Sequence, residues 1–343
     1  MLATLGSIYG KIAGLRNTFF DRGWLKNIDL GSRTISVGNI TAGGSGKTPL
    51  VILISELLAA RGEKICILTR GYGRKNAANR VLVSGLNGVL VDAETGGDEP
   101  VEIATRLAGR ALVIADADRA AAAAWAKKEF EITTFLLDDA FQHRRAKRDV
   151  DIVCVDATDP FGGGKMLPAG RLREPLDGLK RADMIVITRS DLVDDLDAVS
   201  ARVRQFATNA SIHYGRTQIA GFIPLAEHLA GPQPAAPTER TETAPEITNV
   251  LAFSGLGNNG AFFEQLRRCG IRVAGTHEFK DHHFYRQSDI GLLERRSLEA
   301  GAKCLVTTAK DAAKLSGLNF EIPCFVALSQ MVIDDIERFA AQL

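Results

Sequence analysis

Apolar residues along this chain follow two rhythms. Short apolar runs such as ICIL (65–68), ALVIA (111–115), TFLL (134–137) and MIVIT (184–188) read as buried strands. Between them lie longer helical stretches, LVILISELLAA after Thr48, VEIATRLAG after Pro100 and an Ala-rich stretch after Arg119. Strand and helix patterns in alternation predict a largely parallel, doubly wound α/β sheet with helices on both faces over roughly the first 210 residues. One interruption is antiparallel in character: alternating apolar positions flank Asn87-Gly88, a hairpin signal.

Residues 208–248 change character. SIHYGRTQIAGFIPLA predicts two short strands, and the Pro-, Thr- and Glu-rich stretch near 231–246 cannot build a core. After it the α/β rhythm resumes, through TNVLAFSG, AFFEQLRRCG, IRVAGTHEF and onward. At the other end, Leu2, Leu5, Ile8, Ile12, Leu15 and Phe19 share one side of a helix, with Lys11, Arg16, Arg22 and Lys26 supplying charge. Such a helix either docks on its own domain or lies in a membrane interface; packing is the commoner use of the pattern. The expected organisation is an N-terminal amphipathic helix (1–25), a first domain (26–210), a linker (211–248) and a smaller α/β domain (249–343).

The chemistry concentrates between Thr34 and Pro49. Ile35 and Val37 alternate with polar residues as a strand, and Thr41, Ala42, Gly43, Gly44, Ser45 and Gly46 break it. Lys47 and Thr48 then open a helix. Strand, glycine-rich loop, Lys-Thr and helix in this order form the context of a phosphate-binding loop, so the first domain is expected to be P-loop NTPase-like. Its amides and the helix N-terminus would surround a nucleotide's phosphates, Lys47 would lie along the β- and γ-phosphates, and the Thr48 hydroxyl would coordinate Mg²⁺. Thr41 stands where the usual pattern has Gly. Downstream, the apolar strand ending in Asp138-Asp139 is the arrangement in which a carboxylate holds that metal. Asp98 and Glu99 precede a helix, and a helix start explains them without chemistry.

Composition narrows the class. The 343 residues are 45% hydrophobic and 24% charged with a net charge of +1, so no overall field favours nucleic acid. The five cysteines form no C-x-x-C pair and read as buried thiols in a reducing compartment. No run approaches the roughly 18 apolar residues of a membrane span. Two further patterns compete for attention. Gly255–Gly260 fits the dinucleotide pattern G-x-G-x-x-G, and Thr188-Arg189-Ser190-Asp191 partly fits the guanine-reading element of GTPases, with Arg in place of Lys. The first reads better as a structural turn or a second-domain wall of the nucleotide cleft, since a complete phosphate loop stands upstream. The second keeps open a rival function, a P-loop switch or chaperone acting on a protein partner.

NITAGGSGKTP, TRGYGR, GGDEP, LLDDAFQH, LPAGRLREP and FKDHH, in this order, resemble one family, the tetraacyldisaccharide 4′-kinases of lipid A biosynthesis. The likeness covers nearly the whole chain, and members of the family also begin the loop TAGG. Ala140-Phe141 and Ala309 depart from it, and Ala309 weakens any site role for its own loop. The resemblance implies transfer of the ATP γ-phosphate to the 4′-hydroxyl of an acylated glucosamine disaccharide 1-phosphate, giving lipid IVA. It implies peripheral attachment to the cytoplasmic face of the bacterial inner membrane, which turns residues 1–25 into an interfacial helix; it brings in no protein partner. It places the proton acceptor on Asp98, paired with His282 from the second domain across a closing cleft. Asp138, Asp139 and Glu174 become candidates for the metal shell, and Arg70, Arg119 and Arg171 candidates for the substrate's phosphate or sugar.

Overall fold

The fold is that of a computed structural model in which residues 2–107, 109–230, 247–281 and 283–343 are described. The Pro-rich stretch 231–246 and His282 lie outside them. In chain order the elements are α1 (Leu2–Asp21), β1 (Arg33–Asn39), α2 (Lys47–Ala60), β2 (Ile65–Thr69), β3 (Val81–Gly85), β4 (Gly88–Val89), α3 (Ala93–Gly96), α4 (Asp98–Leu107) and β5 (Ala111–Ala115). They continue with α5 (Arg119–Glu129), β6 (Thr134–Leu137), β7 (Val150–Asp156), β8 (Met184–Thr188), α6 (Leu196–Arg204), β9 (Ser211–Pro224) and α7 (Leu225–Ala230). The last are β10 (Val250–Ser254), α8 (Asn259–Arg268), β11 (Val273–Glu278), α9 (Gln287–Ala300), β12 (Cys304–Thr308), α10 (Ala309–Ala312), β13 (Cys324–Ile333) and α11 (Ile336–Ala340).

These elements make two compact units, neither continuous in sequence. The first takes Met1–Arg70, Asp116–Thr217 and Met331–Leu343; the second takes Gly71–Ala115 and Gln218–Gln330. That differs from the expected contiguous division at 210 and 249. Sequence order assigns 71–115 to the first domain, but α4 packs against α10, which is why the segment joins the second unit. Asp98 therefore belongs with the FKDHH segment rather than opposite it.

In the first unit the strands run β9-β8-β7-β1-β6-β2, every neighbouring pair parallel. β1 is central and buried from Thr34 to Asn39, which is what its apolar alternation requires. Phe141, Val153, Ile185, Ile187 and Val203 form much of the core under it. Fully burying such a side chain is worth roughly 1.5–3 kcal/mol. β9 is one strand of 14 residues rather than two short ones, and Gly215 and Gly221 sit inside it. In the second unit β10 lies between β11 and β12, and β13 follows β12, all parallel. The predicted hairpin is present as β3 and β4, pairing Ser84 with Val89. Cys66, Cys154, Cys304 and Cys324 are buried, but Cys269 is exposed at the end of α8, against the expectation of uniformly buried thiols.

Helix α1 inverts the usual packing rule. Gly6 is its buried residue, while Leu2, Leu5, Ile8, Ile12 and Leu15 are 47–62% exposed. It docks through its small residues: a Cβ added at Gly6 would lie 2.9 Å from the Met166 carbonyl oxygen, and one at Gly10 would lie 3.1 Å from the Met166 side chain. Asn17 and Asp21 fix its C-terminal half to Glu174 and Arg144. No helix among the described residues is long and apolar enough to cross a membrane.

Candidate active site

β1 ends at Asn39 and α2 begins at Lys47, so residues 40–46 turn the chain at the sheet's C-terminal edge. Gly43 (φ 112°) and Gly46 (φ 77°) take the left-handed conformations this turn needs. Gly46 is the N-cap of α2 and contributes no side-chain cap, which leaves the first-turn amides for a ligand.

Side chains from elsewhere in the unit grip this loop by its carbonyls. Arg171 Nε donates to the Ala42 carbonyl at 2.9 Å, Arg189 donates to Gly44 at 3.0 Å, and the Thr188 hydroxyl donates to Ser45 at 3.0 Å. Asn39 Nδ2 donates to the Ser45 hydroxyl at 2.8 Å. The Ala42 N–H donates to the Arg171 carbonyl at 2.7 Å, and carbonyls held outward from Ala42 to Ser45 turn the amides that follow the other way, as a phosphate cradle requires. Arg171, expected to face the substrate, is thus a brace of the loop. The guanine-like pattern at Thr188-Arg189 resolves the same way: both residues hold the loop. Neither role has a sequence signature, because each bracing residue is remote from the loop in sequence.

Lys47 and Asp139 face each other. Their charged atoms are 3.4 Å apart, and Arg173 reaches both Asp139 oxygens at 2.7 and 2.8 Å. Burial pushes the Asp139 carboxyl up, but the Lys47 and Arg173 charges outweigh it and hold its pKa below the ordinary value. Asp139 also sits at φ 46°, a left-handed conformation that costs about 1–3 kcal/mol away from glycine and recurs at functional sites. Asp138 is 3% exposed; its Oδ2 accepts the Thr69 hydroxyl at 3.1 Å, and its carbonyl accepts Arg119 at 3.1 Å. Arg119 is almost fully buried, and its Nε has no protein partner. Burial lowers its pKa, with Asp138 and Asp139 opposing. Arg70 is exposed at the end of β2 and adds positive charge near Arg119. Sequence reasoning did not single out Arg173 for Asp139.

The donors suit a hard divalent cation. The Thr48 hydroxyl and the Asp138 and Asp139 carboxylates are oxygen ligands, and Mg²⁺ takes its remaining ligands from phosphate and water. Glu174 does other work. Its oxygens accept Arg181 at 2.9 and 3.1 Å, Asn17 at 2.7 Å and Gln142 at 2.9 Å, so it ties α1 to the unit. Among the described residues no three His, Cys, Asp or Glu side chains form a metal cluster.

The second unit carries Asp98 at the first position of α4, 7% exposed. Its Oδ2 lies 3.4 Å from the Lys314 ammonium. The expected partner His282 lies outside the described residues; the neighbouring His283 bonds Asp289 at 3.1 Å and stacks on Phe279. The turn at Gly255–Gly260 is closed upon itself. Leu256 N–H and the Ser254 hydroxyl donate to Asn259 Oδ1, and Gly255 N–H donates to Asp311.

Comparison with known proteins agrees with this geometry. The family model described as tetraacyldisaccharide-1-P 4′-kinase matches residues 1–343. A tetraacyldisaccharide 4′-kinase of Geobacter metallireducens is 38% identical over 319 residues, 92% of this chain and 88% of that protein. One of Halothermothrix orenii is 36% identical over 319 residues, 92% of this chain and 83% of that protein. The crystal structure of LpxK from Aquifex aeolicus in complex with ATP superimposes with a TM-score of 0.77 at 32% identity, covering 98% of this chain and 96% of that one.

Proposed function

The chain belongs to the tetraacyldisaccharide-1-P 4′-kinase family and is an ATP-dependent kinase of lipid A biosynthesis, and we propose how its own residues carry out the transfer. The observation that carries the reading is the braced loop, with Lys47 held at its mouth by Asp139. Phosphoryl transfer asks a protein for positioning and charge neutralisation more than for covalent chemistry. The loop amides of Gly43–Thr48 hold the phosphates, and Lys47 exchanges Asp139 for the charge developing on the γ-phosphoryl group. Arg173 keeps Asp139 in place during that exchange. Thr48 with Asp138 or Asp139 would hold Mg²⁺, which when bound supplies further neutralisation of phosphate charge. Arg119, whose buried Nε lacks a protein partner, is available to an anionic group of either substrate.

The acceptor is the 4′-hydroxyl of an acylated glucosamine disaccharide 1-phosphate, and the product is lipid IVA. Asp98 takes the hydroxyl proton, and the family resemblance pairs it with His282. The lipid arrives from the cytoplasmic face of the inner membrane, to which α1 attaches the enzyme. Support for that attachment is the outward row of Leu2, Leu5, Ile8, Ile12 and Leu15, which burial in a membrane interface would stabilise.

One experiment tests both halves. Full-length protein is mixed with ATP, Mg²⁺ and vesicles of anionic phospholipid containing the tetraacyl disaccharide 1-phosphate. Labelled phosphate is expected on the disaccharide, and the protein is expected to sediment with the vesicles. Absence of labelled lipid would overturn the acceptor assignment. Label on the lipid with all protein in the supernatant would overturn the membrane role of α1.

A further inference from the structure

One charged cluster outside the phosphate loop is almost sealed from water. In the second unit the Lys314 ammonium lies 3.4 Å from Asp98 Oδ2 and 3.3 Å from Asp311 Oδ1, with side chains 2%, 10% and 0% exposed. The Tyr285 ring is 5.7 Å from the ammonium. Asp311 is itself fixed: its Oδ2 accepts the Gly255 N–H at 3.0 Å and the Thr308 hydroxyl at 2.8 Å. Lys310, from the same short helix α10, lies 3.2 Å from Asp281, the residue before His282. The TTAKD loop, which Ala309 seemed to remove from the site, thus meets the FKDHH segment through Lys310 and anchors, through Asp311, the Lys314 that meets Asp98.

Stability is a poor reason for such a cluster. Desolvating buried ions cancels much of their mutual attraction, and apolar side chains of similar volume serve as well or better. Placement supplies a better one. A carboxylate gripped by an ammonium that is itself anchored on Asp311 is held in one orientation.

We infer that Lys314, itself held by Asp311, is a positioning residue for phosphoryl transfer, fixing the Asp98 carboxylate in one orientation to receive the proton of the sugar hydroxyl. This rests on the reading of Asp98 as acceptor. In the step, the hydroxyl oxygen bonds to the γ-phosphorus while the bond from that phosphorus to the bridging oxygen of ATP breaks. ADP carries away that electron pair, and the hydroxyl proton passes to Asp98 and then to solvent. Without Lys314, the Asp98 carboxylate loses the contact that fixes its orientation toward the hydroxyl.

The test measures kcat and both KM values for full-length K314M, K314R, D98N and the D98N/K314M double variant. D98N is expected to lose at least about 100-fold in kcat. K314M is expected to lose about 20-fold or more in kcat with both KM values nearly unchanged, the mark of a contribution made in the transition state. K314R should recover most of that loss, since it restores the charge. The double variant should be no slower than D98N, because the two residues act as one unit. Wild-type kcat in K314M, a loss carried by KM, or additive losses in the double variant would each overturn the inference. A K314M of normal kcat beside a dead D98N removes Lys314 alone, whereas a D98N of normal kcat removes the acceptor reading and the inference together. Should K314M fail to give folded protein, K314Q is judged by the same outcomes.

Discussion

Two glycine-rich turns in this molecule lead from a strand into a helix, and they treat their amides in opposite ways. At Thr41–Thr48 the Ala42 N–H donates to the Arg171 carbonyl, but from there on the gripping side-chain bonds run to carbonyls, from Arg171, Arg189 and Thr188. At Gly255–Gly260 they run from amides, with Leu256 N–H donating to Asn259 and Gly255 N–H donating to Asp311. A turn that keeps its amides for a ligand can bind phosphate; one that spends them on its own side chains is a joint. Glycine content does not distinguish the two. The residues that follow do: Lys47-Thr48 have no use in a joint, whereas Asn258 caps α8 and Asn259 closes the turn.

The strongest way to break this contrast is K47M. The substitution keeps much of the side chain's length and removes its charge from the mouth of the loop. Loss of one preorganised electrostatic contact to developing charge costs on the order of 100–1000-fold in turnover, about 3–4 kcal/mol. Initial rates of lipid phosphorylation at saturating ATP would measure it. Turnover within threefold of wild type would mean that the loop is as structural as its counterpart.

How far the sequence revealed this contrast depends on distance along the chain. The loop, the carboxylates Asp138-Asp139 and the parallel sheet rest on local patterns, and all are where the patterns put them. The partners of those groups are not local. Arg173 on Asp139, Arg189 on Gly44 and Lys314 on Asp98 join segments that meet only in the folded chain. The same limit hid the unit boundaries, since a contiguous division cannot foresee that 71–115 packs with 218–330. It also hid the protein partners of Glu174 and Arg171. Their charges were legible, but charge alone does not tell a ligand from a brace. Helix α1 is the converse case. Its apolar stripe was legible, but not that it docks through glycines and leaves that stripe exposed.

A smaller effect is expected from N259A. Asn259 Oδ1 accepts the Ser254 hydroxyl at 2.6 Å and the Leu256 amide at 2.8 Å, while its Nδ2 donates to the Phe279 carbonyl at 3.2 Å. Truncation leaves these groups short of partners, at a cost of about 1–3 kcal/mol. Urea unfolding should show that loss, with the dissociation constant for ATP unaltered. Unchanged stability together with weakened nucleotide binding would turn the second turn into a binding site and erase the contrast.

The smallest and most discriminating comparison sets G43A against G257A. Gly43 sits at φ 112°, where a side chain is strained, and an added Cβ would lie 2.8 Å from the Arg171 guanidinium. The alanine therefore disturbs both the loop's conformation and the arginine that braces it. A penalty of about 1–2 kcal/mol is expected, close to a tenfold loss of ATP affinity, with global stability less affected. Gly257 is outside the left-handed region, and its added Cβ would lie 3.3 Å from an oxygen of Asp281, whose side chain is 45% exposed and can give way. G257A should therefore leave both ATP affinity and stability within about 0.5 kcal/mol of wild type, as for most substitutions away from special features. Titration of each purified variant with a fluorescent ATP analogue decides the matter. Equal losses at both glycines would mean that the two turns are under the same constraint, and that the direction of their hydrogen bonds does not separate a cradle from a joint.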